Sequence, residues 1–313
     1  MKYAVLFPGQ GSQSVGMLGA LAAVYPVVTQ TFREASAALG WDLSRLVREG
    51  PAEELNRTER TQPALLAAGI AAWRAWQSHQ PEAPVAMAGH SLGEYAALVA
   101  AGSLPFADAL KLVELRGQLM QHAVPQGSGG MVAVVGMEDA AIEQLCASYT
   151  GGVLEPVNYN APGQVVVAGQ SGALKWLEDN AKAAGARMTV RLPVSVPSHC
   201  SLMKGAALEL AGRLTQVPFQ NPVIPVLHNL DAEAHPQPHS LRGALREQLY
   251  KPVRWTQTIR ALAERGATLF LECGPGRVLA GLNKRILDRN TLTCALEDPA
   301  ALEQIGTALT AAV

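Results

Sequence analysis

The 313-residue chain holds one short stretch whose residue types and spacing suit nucleophilic chemistry, Gly89-His90-Ser91-Leu92-Gly93. An apolar run, 85–88, precedes it, and a helical pattern, 94–101, follows. A serine between two glycines at a turn from strand to helix is held exposed on a strained backbone at the carboxyl end of the strand. The helix that starts there aims the Leu92 N–H, and its dipole, at any oxyanion formed on the serine. The plain alternative is a glycine-rich turn in which the serine is incidental.

A serine hydroxyl reacts only when a base takes its proton, so a histidine must come from elsewhere in the chain. Seven are present. His79 and His122 lie near the ends of helical stretches, and His90, as a strand neighbour of Ser91, is expected to point the other way. His228, His235 and His239 lie in or beside the Pro-rich segment 218–239. His235 and His239 have a spacing seen in zinc sites, but no cysteine pair accompanies them and two prolines intervene, so no metal is expected. His199, in Val196-Pro197-Ser198-His199-Cys200, sits in a stiff non-helical segment just before a helix and is the best candidate base. Arg116 falls on the second of two helices, 94–101 and 106–121, that can fold it back beside the serine. A guanidinium there can receive a carboxylate through two parallel bonds; an exposed helix arginine paired with an acid is the other reading. Gly274-Pro275-Gly276 lacks the remaining residues of a nucleotide-binding loop and reads as a tight turn.

The elements that must position these residues follow from periodicity. Over the first 123 residues strands (3–7, 85–88) alternate with helices (15–25, 63–77 and the pair already named), which predicts a parallel sheet covered by helices. Pro63 suits the first turn of its helix, where a missing N–H costs nothing. The flexible stretch 125–130 marks a boundary. Beyond it strands at 131–135, 153–159, 164–168 and 187–192 and helices at 139–149 and 174–184 give the order βαββαβ of a ferredoxin-like unit. Helices at 202–215 and 241–249 and strands at 223–228 and 268–272 then re-enter the first part. The expected fold is α/β: a hydrolase-like parallel-sheet domain, residues 1–124 and 197–313, with an inserted ferredoxin-like subdomain at 125–196 and Ser91 in the cleft between them.

With 49% hydrophobic and 16% charged residues and a net charge of −1, the composition is that of a globular enzyme, with no global field to attract nucleic acid. The four cysteines have neither close pairing nor metal-ligand spacing, as expected of reduced thiols in the cytosol. Residues 1–7 are too short for a signal segment, and no run approaches the roughly 20 apolar residues of a membrane span. A cytoplasmic location is expected, and nothing in the sequence requires more than a monomer.

Seven blocks, in order along almost the whole chain, carry a resemblance: Phe7-Pro8-Gly9-Gln10-Gly11-Ser12-Gln13, Thr61-Gln62-Pro63-Ala64, Gly89-His90-Ser91-Leu92-Gly93-Glu94-Tyr95, Arg116-Gly117, Asn158-Tyr159-Asn160-Ala161-Pro162-Gly163-Gln164, Pro197-Ser198-His199 and Gly274-Pro275-Gly276. The chain resembles the malonyl-CoA:acyl carrier protein transacylases. The resemblance implies that Ser91 attacks a thioester to form an acyl-serine, with His199 as base and then acid. It implies that the main-chain carbonyl of Gln248 orients His199, that the N–H groups of Leu92 and Gln10 form the oxyanion hole, and that Arg116 receives the malonyl carboxylate. Gln62 and Asn160 are carried over as pocket-lining residues. The implied partners are malonyl-CoA and acyl carrier protein, with no metal or redox cofactor, in fatty acid biosynthesis. A polyketide acyltransferase using malonyl or methylmalonyl units, a serine thioesterase or hydrolase, and a non-catalytic carrier-binding relative are the alternatives. Many relatives carry Asn where this chain has Lys251, and Val196-Pro197-Ser198 matches neither usual polyketide pattern. Lys284 and Arg285 are the expected contacts for an acidic carrier protein.

Overall fold

The computed structural model describes residues 1–79, 82–194 and 196–310. The chain lays down β1 (Tyr3–Phe7) and β2 (Ala86–Gly89), leaves for β3 (Gly129–Val135), β4 (Leu154–Ala161), β5 (Gln164–Gln170) and β6 (Met188–Arg191), then returns for β7 (Val226–Leu227), β8 (Leu269–Glu272) and β9 (Leu292–Ala295). The returning strands complete a five-stranded parallel sheet in the order β7-β2-β1-β8-β9. The excursion forms an antiparallel sheet in the order β4-β5-β3-β6, the strand order of a ferredoxin-like unit.

The central strand explains why β1 reads as an unbroken apolar run. Tyr3, Val5 and Phe7 enter one core and Ala4 and Leu6 the other, so both faces of the strand are covered, as a parallel sheet requires. Before β2 come α1 (Gly19–Val24), α2 (Pro26–Leu39), α3 (Leu43–Glu49), α4 (Ala52–Leu55) and α5 (Thr58–Gln77); α6 (Gly93–Ala100) and α7 (Phe106–His122) follow it. The small sheet carries α8 (Asp139–Ser148) and α9 (Ser171–Asn180) over a core that includes Val132, Val134, Val165 and Val167. The alternate residues Met131, Ala133, Val166 and Ala168 face the other way, towards Cys200. On the return come α10 (Lys204–Leu214), α11 (Pro238–Gln248), α12 (Trp255–Glu264), α13 (Val278–Ile286) and α14 (Pro299–Thr310).

Local expectations fail where tertiary contacts outweigh local signals. Helix α5 starts at Thr58, so Pro63 lies inside it rather than in its first turn. The turn ahead of the proline is held from outside: Thr61 Oγ1 donates to Leu55 O at 2.6 Å, and α7 presses so close that a Cβ on Gly117 would sit 2.6 Å from the Glu59 Cα. The strand expected at 223–228 shrinks to the two residues of β7, which adds to β2 at Met87 and Ala88. The helix expected at 15–25 shrinks to α1.

Candidate active site

The turn between β2 and α6 is compressed until only glycine fits on either side of the serine. A Cβ on Gly89 would lie 1.9 Å from the Gly93 carbonyl carbon, and one on Gly93 would lie 2.0 Å from Phe7 O. Ser91 itself takes a left-handed φ of 51°, a conformation a non-glycine residue holds only when its surroundings enforce it. Asn229 supplies part of that enforcement: its Oδ1 accepts from Ser91 N at 2.7 Å and its Nδ2 donates to Gly89 O at 2.6 Å. Gly89→Ala should destabilise the protein by more than about 4 kcal/mol, seen as lost soluble yield or a Tm lower by on the order of 10 °C. Gly281→Ala, on α13 where an added Cβ meets nothing within 4 Å, is the control and should leave Tm unchanged or slightly raised.

His199 also adopts a positive φ, 65°, and its N–H is tied to Leu249 O at 2.9 Å. Its ring then bridges two groups: Nδ1 lies 2.6 Å from Gln248 O, and Nε2 lies 2.7 Å from Ser91 Oγ. A carbonyl oxygen can only accept, so Nδ1 carries the proton and Nε2 presents its lone pair to the serine hydroxyl. Burial, reinforced by the positive Arg116, pushes His199 down to about 3, against the opposing pull of the Gln248 carbonyl. The ring is therefore neutral and able to accept a proton.

Arg116 projects from α7 to the same point with 1% of its surface exposed. Nη1 donates to Gln62 Oε1 at 2.8 Å, and Nη2 donates to Gln248 Oε1 at 3.0 Å and to Ser91 Oγ at 3.3 Å. All three acceptors are neutral, and Nε has no partner among the described residues. Burial lowers the arginine from its ordinary value, with Tyr95 and Glu94 opposing, and the Tyr95 ring lies 5.4 Å from its guanidinium carbon. The guanidinium is thus a buried positive charge with no carboxylate in contact among the described residues, which is costly unless an anion arrives.

Ser91, His199 and Arg116 border a cavity of about 90 Å³ between the two sheets. Met120, Met131, Leu192, Val194 and Val196 give it apolar walls. Gln10 and Leu92 border it too, and no hydrogen bond among the described residues engages either N–H. A polar cavity of about 450 Å³ adjoins it, sharing Gln10 and Val194.

Residues 5–297 match the acyl transferase domain family. Over 302 residues, 96% of this chain and 97% of the relative, the sequence is 54% identical to the malonyl CoA-acyl carrier protein transacylase of Salmonella typhimurium. The chain belongs to the malonyl CoA-acyl carrier protein transacylase family. Solved structures agree: an acyl carrier protein S-malonyltransferase from Vibrio cholerae superposes with a TM-score of 0.94 at 54% identity, covering 97% of this chain and 100% of that one. A malonyl-transacylase solved in complex with its type II PKS acyl-carrier protein gives 0.95 at 51% identity, over 98% of this chain and 100% of that one. The transacylase fold is the α/β arrangement expected from the sequence.

Within the transacylase site, several residues sit differently from expectation. Asn160 turns its Oδ1 to His90 Nε2 at 2.8 Å and does not border the cavity; Asn158, from the same strand, does. Irregularities between Pro156 and Asn158 and between Tyr159 and Ala161 break the alternation that relates the two asparagines to the sheet. His90 also borders the cavity instead of pointing away, because β2 ends at Gly89 and the turn, not strand alternation, sets its direction. Gln62 lies inside α5, behind Arg116 rather than on the cavity wall. Gln248 contributes a side chain as well as its carbonyl, which sequence reasoning missed. The same holds for Asn229 and Glu94. Lys251 pairs with Glu247 at 2.6 Å, and His235 pairs with Asp231 at 2.8 Å. Lys284 and Arg285 are exposed in the last turn of α13, away from the cavity wall, and Arg285 donates to Gln164. No helix among the described residues is long and apolar enough to cross a membrane.

Proposed function

We propose that this transacylase moves a malonyl group from coenzyme A to the phosphopantetheine thiol of acyl carrier protein through an ester on Ser91. The observation that carries the reading is the 2.7 Å contact between Ser91 Oγ and His199 Nε2 beside a buried arginine whose partners among the described residues are all neutral. As Oγ attacks the thioester carbonyl, its proton passes to His199 Nε2, and the imidazolium is held by Gln248 O. The N–H groups of Gln10 and Leu92 receive the oxyanion. The carbon–sulfur bond breaks, the proton passes from His199 to the departing thiolate, and coenzyme A leaves. The carrier thiol repeats the sequence in reverse, giving its proton to His199 and freeing Ser91. Arg116 takes the free carboxylate of the malonyl group through its planar fork, and the polar cavity at Gln10 leads the thioester arm inwards. The residues of this chain carry every proton, so no cofactor is required, and the protein acts as a cytoplasmic monomer in fatty acid biosynthesis. Delivery to a polyketide carrier is the second reading, favoured by the likeness to the transacylase solved with a type II PKS carrier protein.

Intact mass after mixing with malonyl-CoA or acetyl-CoA tests the reading, followed by addition of holo acyl carrier protein. One malonyl adduct, far weaker with acetyl and discharged to the carrier thiol, is expected. Coenzyme A released without a lasting adduct would indicate a hydrolase, and neither adduct nor release a binding module.

The pH dependence follows from His199. Its proton affinity in the free enzyme lies near 3, so kcat/KM for acylation should stay flat from neutrality down to about pH 5, with no acid limb at the ordinary histidine value. A bound carboxylate neutralises Arg116 and thereby favours the imidazolium, so the acid limb of kcat should lie above that of kcat/KM. An acid limb of kcat/KM near 6.5 would contradict the buried, arginine-depressed histidine.

A further inference from the structure

We propose that Glu94 is a positioning residue that acts on the substrate carboxylate at second hand, by fixing which way the Gln248 amide faces. The inference rests on the assignment of Arg116 as the carboxylate receptor. Glu94 is fully buried on α6 and is itself anchored: Oε1 accepts from His228 Nδ1 at 2.7 Å, and Oε2 accepts from Asn229 N at 2.9 Å. The same Oε2 accepts from Gln248 Nε2 at 3.0 Å, and that nitrogen also donates to Ser91 O at 2.9 Å. Both partners are pure acceptors, so the amide nitrogen must face them and the amide oxygen must face Arg116 Nη2, 3.0 Å away. The reverse orientation would set oxygen against a carboxylate and a carbonyl, and N–H against a guanidinium.

Two consequences follow for the arginine. Its fork is held by the neutral oxygens of Gln62 and Gln248, which aim it without cancelling its charge. Gln248 also stands between Glu94 and Arg116, keeping a buried acid from forming the direct ion pair that would occupy the clamp. Without Glu94, only Ser91 O and the guanidinium itself orient the amide, so the acceptor offered to Arg116 is held less firmly.

Acylation rate constants for malonyl-CoA and acetyl-CoA, measured on wild type, Arg116→Ala, Glu94→Ala and Glu94→Asp, test this. The aspartate keeps the charge but withdraws the oxygens by one methylene, so it decides the matter if the alanine variant does not fold. Both Glu94 variants should lower the malonyl rate constant, mainly through a higher KM, by about 10–100-fold for Ala and less for Asp. Acetyl acylation should change by less than about threefold. In a Gln248→Met background, Glu94→Ala should no longer alter the malonyl-to-acetyl ratio, because the element through which it acts is gone. Equal losses for both substrates, no loss, or a ratio effect that persists in the Gln248→Met background would overturn the inference. A wild-type enzyme without malonyl preference, or an Arg116→Ala variant that keeps it, would instead overturn the arginine assignment and the inference with it.

Discussion

Mixed with malonyl-CoA, the Ser91→Ala protein should gain no mass and release no coenzyme A above background, with turnover lower by on the order of 10⁶-fold. Removing Oγ leaves His199 and Arg116 in place, so malonyl-CoA should still bind, and a binding measurement separates loss of chemistry from loss of fold. The nearby cysteine is not poised to substitute. Cys200, next to the base, is buried; burial pushes its thiol up to about 12, and its Sγ is engaged with Pro197 O at 3.1 Å. A protonated buried thiol is a poor nucleophile. A malonyl adduct surviving in the variant would place the nucleophile elsewhere.

Arg116→Ala should lower malonyl acylation by on the order of 10²–10³-fold while leaving acetyl acylation within about threefold of wild type. A carboxylate entering this cavity is stripped of water and needs the fork, whereas an acetyl group does not. The variant also leaves Gln62 Oε1 and Gln248 Oε1 without their donor, so a loss of stability of about 1–3 kcal/mol should accompany the change in specificity. Arg116→Lys retains a charge without the planar fork and should fall between the two. Equal losses for both acyl groups would remove Arg116 from carboxylate recognition.

Much of this arrangement was legible before the structure. The serine turn could be read because its glycines sit where a strand signal gives way to a helix signal, and the small sheet because its short strand and helix signals follow one another in the order βαββαβ. Information that depends on contacts between distant segments could not be read. Asn158 and Asn160 look equivalent on an alternating strand, and only the β4 irregularities separate the one that borders the cavity from the one that holds His90. Pro63 reads as a helix start until Gly117 and Leu55 supply the support for a turn before it. Glu94 lies within the most conspicuous block of the sequence, yet its partners His228 and Asn229 stand 134 and 135 residues away. No local signal connects them.

The order in which the chain visits the two sheets also bears on its synthesis. Ser91 is made 108 residues before His199, and 157 before the Gln248 that contacts its carbonyl. At a ribosomal pace of about 5–20 residues per second, the emerging polypeptide carries an unactivated serine for on the order of 10–30 s. Thioesters met in that interval find a hydroxyl without its base, and the serine is activated only once the segment through Gln248 has been translated and drawn back over the earlier strands.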